Sequence, residues 1–166
     1  MVLVPLSSFL RLLTPSARES LRMTAQSPDT LIYDGCTFMM FAEPLEAYFE
    51  QSGNRPDFVL LNRGTSCSAC WRGYTASWEV VEEKLFLTEI DGIMEGDDDV
   101  SLQAVFPNSG DRIFASWFTG TILIPRGDEL EYVHMGYGSK YEREILMHFT
   151  SGILEGTEMR ANARTD

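Results

Sequence analysis

The sequence predicts a mainly β fold, either a curved antiparallel sheet or an open β-barrel or sandwich, with one or two short helices. In residues 70–90, apolar side chains alternate on both sides of a short turn, as in a β-hairpin. Further strand-like segments recur between turn signals, which is typical of such sheets. The alternating positions are Tyr74, Ala76, Trp78 and Val80 before a turn at 82–84, and Leu85, Leu87 and Glu89 after it.

The residues before this hairpin predict short strands around one helix. The predicted strands are 31–33, 37–41, 58–62 and the first hairpin strand, 65–81, and the helix lies between Pro44 and Gly53. Asp34 and Gly35 are a typical two-residue hairpin turn. Proline at the first helical position and glycine after the last one fit the preferences of helix ends.

The residues after the hairpin's first strand predict mostly further strands. The predicted strands are 85–91, 112–124, 129–135, 141–150 and 153–155, with a brief helix from Leu102 to Phe106 capped by Asp99 or Ser101. Residues 112–124 are apolar on both faces, which predicts a central strand that is covered on both sides. Residues 125–128 are predicted to be a turn.

The chain of 166 residues is long enough for a single β-rich domain, which we place at residues 26–156. Residues 1–25 form an N-terminal arm with two open interpretations, a short amphipathic helix near 6–13 or an extension before a true start at Met23. This arm is too short and interrupted to predict a transmembrane helix. Residues 157–166 are expected to be a flexible tail.

The formal net charge is −12, and the acids are concentrated between residues 79 and 99. This segment holds nine acids and one base, Lys84: Glu79, Glu82, Glu83, Glu89, Asp91, Glu95, Asp97, Asp98 and Asp99. The negative electrostatic field of these acids repels the phosphate backbone of nucleic acids, so we expect no nucleic-acid partner. It favours a basic protein partner, although surface carboxylates also keep proteins soluble.

Three cysteines occur in the chain, and this odd number fits a reducing, cytoplasmic environment better than a disulfide scaffold. Cys67 and Cys70 lie three positions apart, so strand alternation places them on opposite faces, and we expect neither a bridge nor a shared metal. The histidines, His134 and His148, lack the spacing of a zinc site. We therefore predict no metal and no cofactor.

Several catalytic classes lack their motifs in this sequence. There is no Gly-x-Ser-x-Gly turn for a serine nucleophile, and no glycine-rich phosphate loop. The many carboxylates fall mostly at predicted turns, whereas a glycosidase needs two of them in a cleft. An enzyme is therefore the less favoured interpretation, and no catalytic residue is assigned.

Arg72 is the charged residue with the most unusual predicted position. Strand alternation puts it on the apolar face of Tyr74, where a charge must be paired or exposed. One interpretation is a structural ion pair, for which Glu142 is a candidate partner. The other is an arginine that recognises an anion at an aromatic pocket formed with Trp71, Tyr74 and Tyr137.

A series of short motifs between residues 44 and 153 resembles a family of small bacterial β-rich proteins of uncharacterised function. The motifs are Trp71-Arg72-Gly73-Tyr74, Trp78, Lys84-Leu85, Phe106-Pro107, Trp117-Phe118, Gly120 and Tyr141-Glu142. The resemblance implies a shared fold and brings no catalytic residues.

The sequence therefore favours a non-enzymatic acidic binding protein of the bacterial cytoplasm. Its most concrete form is an immunity-type inhibitor that covers the basic surface of a toxin with Glu95, Asp97, Asp98 and Asp99. The alternative is a small-molecule-binding protein or enzyme that uses the aromatic pocket. We expect no membrane partner, and the sequence leaves the oligomeric state open.

Overall fold

The computed structural model describes residues 27–58, 72–92, 100–133 and 136–163. Within these ranges the chain is mainly β with two short helices, which confirms the predicted fold class. The strands are β1 (Asp29–Tyr33), β2 (Cys36–Met40), β3 (Tyr74–Val81), β4 (Lys84–Gly92), β5 (Ile113–Phe114), β6 (Gly120–Glu131), β7 (Lys140–Thr150) and β8 (Ile153–Ala161), and the helices are α1 (Pro44–Ser52) and α2 (Leu102–Val105).

The eight strands of the described ranges form one mixed sheet in the order β2-β1-β3-β4-β8-β7-β6, with β5 paired to β4. The pairing is antiparallel except between β1 and β3, which are parallel, with Leu31 opposite Trp78. This parallel pair is the exception in a sheet that is otherwise antiparallel, as the sequence predicts. Since β2 and α1 intervene, the chain can return to run beside β1 in the same direction.

The sheet curves until its two edge strands meet, but it does not close into a barrel. The Phe41 amide, just after β2, donates to the Leu123 carbonyl of β6 at 2.7 Å. Alternate residues of a strand direct their backbone groups to the same edge, so Pro125 is the next position of β6 to face β2. Proline has no N–H to donate, and Gly127 (φ 79°) follows at a register shift. The ladder therefore stops after one bridge.

The β4 strand contains a bulge that changes which residues face the core. Leu85 and Leu87 are buried as predicted, but Thr88 is an extra residue opposite the β3 backbone. Its hydroxyl donates to the Ser77 carbonyl at 3.0 Å. Beyond the bulge Glu89 is exposed and Ile90 is buried, so the prediction that the alternation extends unbroken to Glu89 is wrong.

The predicted central strand at 112–124 is also wrong. The chain turns at Ser116 and Trp117 between β5 and β6, and β6 is an edge of the sheet. The apolar side chains on both faces instead anchor this turn: Ala115 is buried, and the Trp117 indole donates to the Pro44 carbonyl at 2.8 Å. The predicted turn at 125–128 is the bulge within β6.

The helix ends follow the sequence signals. Pro44 occupies the first turn of α1, and Gly53 ends it in the left-handed region (φ 69°) with its N–H donating to Phe49. The Ser101 hydroxyl caps α2 by accepting from the Ala104 N–H at 3.2 Å. Asp99, the other predicted cap, lies outside the described residues. At the far end of the chain, β8 continues beyond Gly156 to Ala161 and stays paired with β7.

The core lies between the concave face of the sheet and α1. Trp78 is fully buried on β3, and Leu45 and Phe49 of α1 pack into the same cluster. Its other main members are Leu31, Met40, Tyr74, Leu85, Leu87, Ile122, Ile124, Met147 and Phe149. This packing fixes the start of β3, where the predicted site residues lie.

Candidate functional site

The Arg72 side chain is buried just before β3, where several groups of the protein surround its guanidinium. A guanidinium has five N–H groups. Four hydrogen bonds reach the carbonyls of Tyr74 (2.8 Å) and Ser27 (3.1 Å), the Tyr137 hydroxyl (3.3 Å) and the Asp29 carboxylate. Glu43 adds an ion pair at 3.3 Å, so groups of the protein itself occupy most of the guanidinium.

Asp29 is the main counter-charge of this network. It begins β1, and its carboxylate accepts from Arg72, from the Ala76 N–H at 2.9 Å and from the Trp78 indole at 2.9 Å. Burial raises the pKa of Asp29 to about 6, although the Arg72 charge and the two N–H donors oppose this rise. The carboxylate is therefore ionised at neutral pH.

Two tyrosines complete the network. Burial raises the pKa of Tyr137 and of Tyr74, and the Tyr74 hydroxyl also donates to Glu46 at 2.7 Å. The Tyr137 ring stacks on Phe41 with centroids 4.9 Å apart. Both phenols therefore stay neutral and act as hydrogen-bonding groups.

The arrangement supports the interpretation of Arg72 as a member of a structural ion pair, but its partner is not the predicted Glu142. Glu142 is exposed and contacts the Asp128 N–H instead. Arg72, Tyr74 and Tyr137 do come together, while Trp71 lies outside the described residues. Asp29 was not predicted from the sequence, because the predicted first strand began at Leu31. Strand residues two apart share a face, so a predicted strand that began at Asp29 would have placed Asp29 on the buried face with Leu31.

The four acids predicted to bind a partner, Glu95, Asp97, Asp98 and Asp99, lie outside the described residues. The described chain stops at Gly92 and resumes at Val100, whose N–H donates to the Gly92 carbonyl at 3.0 Å. Gly92 pairs with Tyr74 at the end of the sheet opposite the β3–β4 turn. Gly92 and Val100, the described residues on either side of this segment, are therefore neighbours at this end of the sheet.

Two further acids lie on β4 immediately before Gly92, and we call Glu89 and Asp91 the acidic strip. Both side chains are exposed. Within the described ranges neither makes an ion pair, and the Ser77 hydroxyl donates a hydrogen bond of 3.4 Å to Glu89. By contrast, Glu131 and Glu144 on the other half of the sheet are paired with Lys140 and Arg160. Among the described residues, no cation therefore pairs with the negative charge of the strip.

The opposite end of the β3–β4 hairpin is acidic as well. Glu82, Glu83 and Asp34 sit on two tight turns around a hollow of about 380 Å³. All three have positive φ (49°, 62° and 50°), which suits the type I′ turns of hairpins but is unfavourable for residues other than Gly, Asn and Asp.

The cysteine and histidine predictions fall partly outside the described ranges, which exclude Cys67, Cys70 and His134. Cys36 is exposed and unbridged. His148 lies on β7, with its Nδ1 3.0 Å from the Thr121 hydroxyl. In the described part of the chain, no three His, Cys, Asp or Glu side chains converge as a metal site would require.

Comparison with family models, curated proteins and solved structures finds no match for this chain. The resemblance to a bacterial family stays a prediction. Neither helix in the described ranges is long and apolar enough to cross a membrane. Function must therefore be argued from the surface of this chain itself.

Proposed function

We propose that this chain is a non-enzymatic binding protein whose acidic surface covers a basic surface of a partner protein. The observation that carries the proposal is the acidic strip, Glu89 and Asp91, exposed and without ion-pair partners in the described ranges. In its most concrete form, the chain is an immunity-type inhibitor of a toxin in the bacterial cytoplasm.

The position of the strip supports this interpretation. It leads directly into residues 93–99, whose sequence adds four acids and no base. Exposed carboxylates that lack counter-charges within the protein produce a field that steers a basic partner and disfavours wrong ones. Carboxylates that were already paired would contribute less, because their field is largely cancelled nearby.

The geometry around Arg72 gives less support to the small-molecule alternative. A binding pocket needs convergent polar groups that remain available to a ligand. The Arg72 guanidinium is buried and makes four hydrogen bonds within the protein, and Tyr74 and Trp78 are buried in the core. We therefore retain the binding protein as the single proposal.

The test is a co-expression experiment with the products of the genes that neighbour this one. One product should arrest growth, and co-expression of this chain should restore it. A variant with amides at the strip and at the following acids (Glu89→Gln, Asp91→Asn, Glu95→Gln, Asp97→Asn, Asp98→Asn, Asp99→Asn) should lose the rescue while remaining folded, because exposed charges contribute little to stability.

The control is the double variant Glu50→Gln and Glu155→Gln, which removes exposed acids from α1 and β8 and should rescue fully. Rescue by the neutralised variant as efficient as by the natural chain would rule out the acidic surface as the binding site. Absence of any toxic neighbour would rule out the immunity role.

A further inference from the structure

Two arginines lie side by side on the β6–β7 end of the sheet. Arg126 is directly opposite Arg143 in the antiparallel register, so their side chains emerge on the same face. Both are exposed. Like charges at directly opposed positions destabilise a sheet, and this arrangement stands out in a chain with a net charge of −12.

In the part of the chain that the structure describes, neither arginine forms an ion pair. Arg55, Arg72, Arg112, Lys140 and Arg160 all form ion pairs with described carboxylates. Within the same ranges Arg126 and Arg143 have no ion pair and no side-chain hydrogen bond. The Arg126 guanidinium lies over the Phe38 ring, 5.1 Å from its centroid.

Arg126 and Arg143 both line one hollow of about 280 Å³. Ile145 and Met159, paired across β7 and β8 on the same face, form its apolar side. Met159 is 66% exposed, so its apolar surface is accessible to a ligand in the hollow. Ala161, opposite Arg143 on β8, is small and leaves the guanidinium accessible.

We propose that Arg126 and Arg143 form a binding site for a compact oxyanion, a phosphate or a carboxylate, whose attached apolar group rests on Ile145 and Met159. Guanidinium groups bind such oxyanions through paired, charge-assisted hydrogen bonds. A bound anion also removes the repulsion between the two cations. The site is separate from the acidic strip, because β8 and β7 lie between β4 and β6 in the sheet.

The test uses the full chain and three probes: inorganic phosphate, phenyl phosphate and hexanoate. Binding is measured by calorimetry and by the NMR shifts of the arginine Nε–H groups. Phenyl phosphate or hexanoate should bind saturably at one site. The probe that binds with the higher affinity shows whether the site prefers a phosphate or a carboxylate. Arg126→Gln and Arg143→Gln should each weaken binding at least about tenfold, since each removes a charge-assisted contact.

The matched control is Arg112→Gln. Arg112 also lies over an aromatic ring, that of Phe86 at 4.4 Å, but it is paired with Glu79. This variant should bind normally. Met159→Thr should weaken phenyl phosphate or hexanoate and leave inorganic phosphate unchanged. The proposal is overturned if no probe binds saturably, or if Arg112→Gln weakens binding as much as Arg126→Gln.

Discussion

Replacing Arg72 with glutamine removes the cation at the centre of the buried network and leaves the Asp29 carboxylate without its main counter-charge. Both side chains are fully buried, and breaking such a pair at one partner costs about 3–5 kcal/mol. With an m-value of about 2 kcal/mol per molar urea, the midpoint of urea unfolding should fall by about 2 M. The transition can be followed by tryptophan fluorescence.

The cost of this substitution should depend on pH. Burial places the pKa of Asp29 at about 6 in the folded protein, above its ordinary value of 3.8. A raised carboxyl pKa means that the Asp29 contribution to stability falls as the pH rises from about 4 to about 6. In the Arg72→Gln variant the pKa of Asp29 rises further, because the positive charge of Arg72 lowers this pKa in the natural protein. The destabilisation should therefore be largest above pH 6 and shrink towards pH 5.

The control is Lys140→Gln, which breaks an ion pair whose side chains are 54% and 52% exposed. It should cost less than about 1 kcal/mol. If Arg72→Gln costs no more than this at neutral pH, the network is not what anchors the start of β3. A cost that grows as the pH is lowered would contradict the assignment of Asp29 as the partner.

Three further predictions concern single positions. The Asp29 carboxyl should titrate near pH 6 by NMR. This raised pKa implies that the free energy of unfolding changes by about 3 kcal/mol with pH, and Asp29→Asn should abolish that change. Gly152→Ala should destabilise more than Gly35→Ala in urea, because both have positive φ but only the Gly152 Cβ would lie 2.6 Å from the Ala115 carbonyl; equal costs would refute this. Ser101→Ala should cost about 1 kcal/mol, and no change would exclude its capping role.

Local patterns in the sequence predicted the elements whose signals are local. Alternation placed Tyr74 and Trp78 on the core face of β3, and Pro44 and Gly53 bounded α1, because these features depend on neighbouring residues. The bulge at Thr88 could not be predicted, since an extra residue is visible only against the partner strand.

Long-range features were the ones that sequence reasoning missed. The apolar residues at 112–124 predict a central strand, but Trp117 packs against the start of α1, 73 residues earlier. Likewise, Arg72 finds its partner 43 positions away in Asp29. A sequence pattern shows that a buried charge needs a partner, but not which carboxylate the topology brings to it.

We propose that the acidic strip and the acids that follow it bind a basic partner. The direct measurement is the association rate of that partner, by stopped flow, across a range of salt concentrations. The six-amide variant should slow association at low salt at least about tenfold and flatten its salt dependence, while the Glu50→Gln and Glu155→Gln control matches the natural chain. Association rates that change neither with the amide substitutions nor with added salt would show that these acids do not bind the partner.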